Sequence, residues 1–180
     1  MKRIFMLSAV LVLLSGCSSI SVRRDYDRTT DFSQLKTYAW EHAEQPETGD
    51  PRIDNDLMDE RVRAAVNREL AAKGLVAGSK SDADFLVAYF ITYKQRIGGS
   101  SVSFGIGTGS YGRYGSVGYN TSISDYDEGH LTIDIMDSAT TNTIWRGVGV
   151  RTTYETAKPD KITKIVNQAV SKILKKFPPK

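Results

Sequence analysis

The sequence predicts a single α+β domain: a mainly antiparallel sheet of about five or six strands with two amphipathic helices packed on one face. Two patterns predict this class. Some segments alternate apolar and other residues with period two, and two segments repeat apolar residues at helical spacing. The composition agrees, because the 180 residues are 40% hydrophobic and 25% charged, as in a globular chain. We assign the domain to residues 22–178.

The first helix is predicted near residues 51–73. Asp50 is expected to be its N-cap, and Pro51 suits the first turn. Gly74 is expected to end the helix, because glycine readily adopts the left-handed conformation found there. The apolar stripe of this helix recurs every four residues, at Met58, Val62, Val66 and Leu70.

The second helix, near 160–177, has the clearest periodicity in the chain. Packing of its apolar stripe on the sheet is the preferred interpretation, and a helix lying on a membrane surface is the alternative. The stripe consists of Ile162, Ile165, Val166, Ala169, Val170, Ile173, Leu174 and Phe177. The opposite side carries Lys161, Lys164, Lys172, Lys175 and Lys176.

Strands are predicted at 22–27, 36–40 and 84–94, and residues 130–154 have the pattern of a hairpin. In 84–94 both alternating sets of residues are largely apolar. This pattern predicts a central strand that is covered on both faces.

The N-terminus has the pattern of a secretory signal over residues 1–16. Lys2 and Arg3 precede an apolar run of about 11 residues, which is too short for a helix that spans a bilayer. The run ends at Leu14-Ser15-Gly16-Cys17, which resembles the bacterial lipobox. The resemblance implies attachment of diacylglycerol to the Cys17 thiol and cleavage between Gly16 and Cys17. A secreted protein with a free thiol is the alternative.

Residues 17–21 would then be a lipidated cysteine and a short tether. Several acyl chains on one cysteine anchor a protein stably, whereas a single chain binds only marginally. Ser18 follows the cysteine, and in the enterobacterial sorting pattern an Asp there causes inner-membrane retention. We therefore expect the outer membrane, with the domain facing the periplasm. Cleavage removes Lys2 and Arg3, leaving a nearly neutral chain for which we expect no nucleic-acid partner.

Residues 97–124 form a glycine-rich insertion that contains eight of the 15 glycines. Alternating residues on both sides predict a hairpin arm with a Tyr/Gly tip. The formal match to GxGxxG at 107–112 lacks the helix that a dinucleotide site requires. Tyr111 and Tyr114 are candidates for binding a partner chain or a saccharide, and a tolerated loop insertion is the alternative.

The sequence shows no constellation of residues typical of an enzyme, and we expect no catalytic residue, no cofactor and no metal. The acids around 125–134 are interpreted as solvated loop charge. Trp145 and Arg146 stand beside glycines on a predicted strand. Trp145 is expected to be a core residue, and the alternative is that both residues line a groove for a small amphiphile or glycan.

Charge is segregated along the chain. Residues 41–60 carry a net charge of −7, and residues 158–180 carry +6. If the two helices lie side by side, these charges balance internally; if they are apart, each is a candidate docking face.

Several short motifs follow one another in a distinctive order along the chain. They are Asp31-Phe32-Ser33, Lys36-Thr37-Tyr38-Ala39-Trp40, Leu70-Ala71-Ala72-Lys73-Gly74-Leu75, Asp82-Ala83-Asp84, Glu128-Gly129-His130-Leu131-Thr132-Ile133-Asp134 and Trp145-Arg146-Gly147. In this order they resemble a family of small lipoproteins and secreted proteins of Gram-negative bacteria, domain of unknown function 4136. The resemblance covers about 22–178 and implies an α+β domain on a lipid anchor, with no activity, cofactor or catalytic residue to carry over.

These observations lead us to expect a non-enzymatic, lipid-anchored module on the periplasmic face of the outer membrane. It would bind or scaffold components of the cell envelope, with an envelope protein or a glycan as partner. The alternative is a carrier or sensor with a pocket for a small amphiphile or glycan near Trp145 and Arg146.

Overall fold

The structure is a computed structural model that describes residues 20–97, 103–106, 115–118, 125–153 and 158–179. Its main element is an open six-stranded mixed sheet, with two helices packed against it. The predicted single domain of α+β class is confirmed.

The strands of the main sheet are β1 (Ser21–Tyr26), β2 (Thr37–Trp40), β3 (Val76–Ala77), β4 (Phe85–Ile97), β7 (Asp125–Asp137) and β8 (Thr143–Thr153), and the helices are α1 (Asp56–Ala71) and α2 (Pro159–Leu174). The strands lie in the order β1-β8-β7-β4-β2-β3. Neighbours from β1 to β4 in this order are antiparallel, while β2 runs parallel to both β4 and β3. β2 and β3 can pair in parallel because α1 connects them and returns the chain to the end of the sheet at which β2 begins.

Two strands of the glycine-rich insertion form a separate ribbon. β5 (Ser103–Ile106) and β6 (Gly115–Gly118) pair antiparallel, as the alternating pattern predicts. The insertion follows β4 and precedes β7, which pair along their whole length up to Ile97 and Asp125. Tyr111 and Tyr114 lie outside the described residues.

Aromatic rings occupy the centre of the core. The ring of Phe177 lies 5.3 Å from that of Trp145, 6.0 Å from that of Phe85 and 6.0 Å from that of Phe32. Aromatic pairs at these distances contribute about 0.5–1.5 kcal/mol beyond the burial of their area. Phe177 follows α2, so the end of that helix is held against three different segments of the chain. Fully buried aliphatic residues of the same core include Val62, Val66, Leu70, Ile133, Ile135, Val170, Ile173 and Leu174.

The first helix begins at Asp56, and the predicted start near Asp50 and Pro51 is wrong. Asn55 is the N-cap, and its side-chain oxygen accepts a backbone N–H of the first turn at 3.0 Å. Asp50 instead forms an ion pair with Arg52, in a turn that precedes the helix. Both Asp50 and Asn55 are good capping residues, and the turn before the helix decides between them.

The predicted end of this helix is confirmed. Gly74 has a φ of 80°, and its N–H donates to the Ala71 carbonyl at 2.9 Å. The N–H of Leu75 donates to the Leu70 carbonyl at 3.1 Å. These two bonds form a Schellman motif, which satisfies carbonyls that the helix end would leave without a donor.

Strand β4 is central in the sheet, but the prediction that both of its faces are covered holds only in part. Its helix-facing side chains, such as Val87, are buried beneath the two helices. On the other face, Leu86 is buried in a small cluster with Ala39, Ala83 and Met136. Farther along that face Phe90 is 40% exposed. We call this second face the open face of the sheet.

Candidate functional site

Trp145 fills the core. Its side chain is fully buried, and no described residue accepts a hydrogen bond from its indole Nε1. The neighbouring Gly147 gives it room, because a Cβ at that position would overlap the Trp145 ring and the Cγ2 atom of Ile173. The close approach at this glycine is therefore between β8 and α2, and a ligand has no access to the indole.

Arg146 points to the open face of the sheet, where it is paired with Asp134 of β7. The guanidinium Nε donates to one carboxylate oxygen at 2.6 Å, and Nη2 donates to the other at 2.5 Å. This hydrogen bonding raises the pKa of Arg146 above its ordinary value. Asp134 is only 2% exposed. The prediction that the acids up to 134 are solvated loop charge is thus wrong for Asp134.

We expect Arg146→Ala to lower the free energy of unfolding by about 1–3 kcal/mol, because a buried carboxylate loses its charge-assisted hydrogen bonds. Half of the Arg146 side chain is exposed, so solvent weakens the pair and the lower part of that range is favoured. Urea denaturation measures the change. Arg23→Ala, an exposed arginine on the same face, is the matched control and should stay within about 0.5 kcal/mol of wild type. Equal effects of the two substitutions would contradict a structural role for the pair.

The surface near these residues holds a shallow, open depression of about 370 Å³. A second depression of about 500 Å³ lies at the β3 edge of the sheet, beside the end of α1. The first is lined by Asp25, Tyr26, Asp27, Thr143, Ile144, Trp145 and Arg146, and the second by Tyr38, Asn67, Ala71, Gly74, Leu75, Val76 and Ala77. Trp145 is among the lining residues of the first depression but has no exposed surface.

A polar network ties α1 to β4 and is structural in character. The Tyr89 hydroxyl donates to Asp59 at 2.9 Å, and Arg63 donates to both oxygens of the same carboxylate at 2.8 Å. Burial, together with the bond to Asp59, raises the pKa of Tyr89 well above its ordinary value. A tyrosine held protonated in this way is a hydrogen-bond donor and not a base.

A second polar tie joins β2 to the start of β4. The Asp84 carboxylate accepts the backbone N–H groups of Lys36 and Thr37 at 2.9 and 2.8 Å. The backbone N–H of Thr37, and after it that of Lys36, lower the pKa of Asp84 below its ordinary value. The stability that they contribute is present above the ordinary pKa of an aspartate and is lost as the pH falls through the lowered value.

The described residues contain no group of three or more His, Cys, Asp or Glu side chains placed to hold a metal ion. His130 lies 3.4 Å from Glu128 on the open face, which makes a pair and not a ligand set. Nor does any helix in the described ranges have the length and hydropathy of a membrane span.

The two helices lie side by side, and arginines of α1 donate to neutral side chains of α2. Arg61 donates to the Thr163 hydroxyl at 3.1 Å, and Arg68 donates to the Asn167 side chain at 3.3 Å. Among the described residues, no ion pair joins the acids of 41–60 to the exposed Lys161, Lys164, Lys175 or Lys176. The expected internal balance of charge is therefore not made by direct ion pairs at these lysines.

The sequence matches one protein family over residues 22–179, and that family is described as Domain of unknown function (DUF4136). The chain belongs to the DUF4136 family. This match confirms the resemblance drawn from the motifs and covers nearly the whole predicted mature chain. No functionally curated protein matches the sequence.

Several solved structures are similar to this DUF4136 domain at low sequence identity. A PDZ domain protein from Parabacteroides distasonis is 13% identical with a TM-score of 0.57; the similarity covers 89% of this chain but only 36% of that one. A PelC dodecamer from Paraburkholderia phytofirmans is 12% identical with a TM-score of 0.47, covering 86% and 94% of the two chains. A minor lipoprotein from Acinetobacter baumannii is 11% identical with a TM-score of 0.41, covering 79% and 92%.

Of the candidate site residues, Trp145 and Arg146 lie within the described part of the chain. Trp145 and Arg146 are neighbours in sequence but point to opposite faces of the sheet. Gly16, Cys17, Tyr111 and Tyr114 lie outside the described residues, so their roles stay predictions. The pairing of Asp134 with Arg146 has no signal in the sequence, because only the register of β7 against β8 brings the two residues together.

Proposed function

We propose that this DUF4136 protein is a lipid-anchored lipoprotein on the periplasmic face of the outer membrane. It acts there as a binding or scaffolding module of the cell envelope and catalyses no reaction. The proposal combines the lipobox-like sequence before Cys17 with membership of a family that carries no known activity.

The observation that carries the proposal is how soon the folded domain begins after Cys17. Ile20 is already 7% exposed and belongs to the core cluster, although it precedes the first strand. Only Ser18 and Ser19 separate it from the cysteine. A diacylglycerol on Cys17 would therefore hold the domain directly at the bilayer surface.

Binding partners are proposed to be an envelope protein or a glycan, contacted through Tyr111 and Tyr114 of the insertion. A tyrosine combines a rigid apolar ring with a hydroxyl, which suits such contacts. The alternative of an amphiphile pocket near Trp145 and Arg146 is not favoured. It would require Trp145 to leave the core, where Phe177 and α2 pack against it.

The test of the anchor is Cys17→Ser, since a hydroxyl cannot form the thioether. We expect the wild type to be in the membrane fraction with an acylated N-terminal cysteine. The variant should lose acylation and keep its signal peptide, because in lipoproteins cleavage follows lipidation. Membrane fractionation and mass spectrometry of the intact protein measure both properties.

Two substitutions at Ser18 serve as controls. Ser18→Ala should remain acylated and should fractionate like the wild type. Ser18→Asp should remain acylated but move to the inner membrane in a host with the enterobacterial sorting pattern. A wild type that carries no acyl chain would refute the proposal, and an acylated Ser18→Asp protein that stays in the outer membrane would refute only its sorting.

A further inference from the structure

We infer that the domain lies with one particular side against the anionic phospholipids of the membrane that holds its anchor. This side, which we call the basic flank, comprises the β1 edge of the sheet and the exposed side of α2. Its cations are Arg24, Lys161, Lys164 and Lys175. The inference rests on the proposed lipid anchor and adds an orientation and a lipid specificity to it.

The tether decides which edge of the sheet is held at the membrane. Consecutive Cα atoms lie 3.8 Å apart, so Cys17 can be no more than roughly 11 Å from Ile20. Ile20 packs where β8 meets α2, because a Cβ added at Gly149 would lie 3.5 Å from Ile20 and 3.0 Å from Ile173. The other edge of the sheet, β3, is five strand spacings away from β1, roughly 24 Å. The lipid attachment point is thus beside β1 and α2.

The same side of the domain is positively charged. Arg24 is exposed on β1 and donates to the Lys176 carbonyl at 3.1 Å, which places β1 beside the end of α2. Lys161 and Lys164 are exposed on the side of α2 opposite its apolar stripe, and the exposed Lys175 follows the last residue of that helix. Each Lys or Arg close to an anionic bilayer strengthens surface binding by about fivefold.

The acidic segment 41–60 lies farther from the lipid attachment point than the basic flank does. It follows β2 and leads into α1, and Asp59 is tied through Tyr89 to β4, which is three strands away from β1. Its ion pairs include those of Asp50 with Arg52, of Asp59 with Arg63 and of Glu41 with Lys80. Attraction of the basic flank therefore favours the orientation in which the β1 side, and not this segment, faces an anionic surface.

The test uses the full acylated protein, in which Cys17 is blocked and an added cysteine is the sole free thiol. Lys164→Cys places a fluorescent label on the basic flank, and Val76→Cys places the matched control on β3, at the opposite edge of the sheet, where Val76 is exposed. Each protein is reconstituted in vesicles of phosphatidylglycerol and phosphatidylethanolamine, or of phosphatidylcholine alone. A quencher attached to lipid headgroups, present in both, reports the proximity of the label to the surface.

We expect the label at position 164 to be quenched several-fold more strongly in the anionic vesicles than in the neutral ones. The label at position 76 should be quenched weakly and equally in both. Adding Lys161→Glu and Lys175→Glu should remove the difference at position 164, whereas Lys73→Glu with Lys80→Glu should preserve it. Salt at about 1 M should also remove it, because the screening length falls to about 3 Å.

Flotation of the same samples separates this inference from the proposed anchor. Protein that floats with neither type of vesicle would refute the anchor itself. Protein that floats with both, but shows equal quenching at position 164, would refute the orientation and leave the anchor intact. The label at position 164 could instead be shielded from the quencher to a degree that depends on the density of protein on the vesicles and not on lipid charge. That result would show that the basic flank contacts a second copy of the chain, and it would also overturn the inference.

Discussion

Trp145→Ala is expected to lower the free energy of unfolding by about 3–5 kcal/mol, a large part of the total stability of a domain. The indole is completely buried and packs edge-on against Phe177. Its removal leaves a cavity where β8, α2 and the end of the chain meet, and the surrounding side chains relax only partly into it. Chemical denaturation followed by circular dichroism measures the loss.

Trp40→Ala is the matched control, since it removes the same side chain from a half-buried site. The Trp40 indole donates to Asn67 at 3.2 Å and lies under the guanidinium of Arg63. Its loss should therefore cost clearly less than the loss of Trp145. If Trp145→Ala were the milder substitution of the two, the assignment of Trp145 to the core would be wrong.

Gly147→Val is expected to lower the free energy of unfolding by about 3 kcal/mol, through overpacking and not through a cavity. Even a single Cβ there would overlap the ring of Trp145 and the Cγ2 atom of Ile173. Both groups are buried and have no free space to move into. The helix and the strand must then separate, which also exposes apolar area of the core.

The control for this substitution is Gly78→Val, because no atom lies within 4 Å of a Cβ added at Gly78. We expect a change of about 0.5 kcal/mol or less there, as for ordinary surface substitutions. Gly149→Ala should be intermediate, since its Cβ would lie 3.0 Å from the flexible end of Ile173. Thermal melts of the three variants give the order, and a Gly147→Val protein as stable as the Gly78 variant would contradict the packing described.

Periodicity was sufficient to predict the main elements of the fold. The stripe of α2 and the alternation in β4, β7 and β8 each reflect burial of one face, and burial is what the hydrophobic pattern encodes. The short strand β3 was not predicted, because two residues cannot show a period. The start of α1 was misplaced, because Asp50 and Asn55 are both good caps and the local turn chooses between them.

The arrangement of faces was harder to predict. The two apolar faces of β4 indicated cover on both sides, yet helices cover one face and only a small cluster covers part of the other. A pattern reports that a side chain avoids water but does not identify what shields it. For the same reason, the sequence could not decide whether Trp145 fills the core or lines a groove.

The sequence by itself determined the family, the class of the fold and the expectation of a lipid anchor at Cys17, because these depend on residues close together in the chain. The tertiary structure decided what depends on distant residues. It placed Trp145 against Phe177, joined Asp134 to Arg146, and set Ile20 beside the apolar side of α2. Contacts of this kind follow from strand register and helix packing, which bring together residues that no local pattern connects.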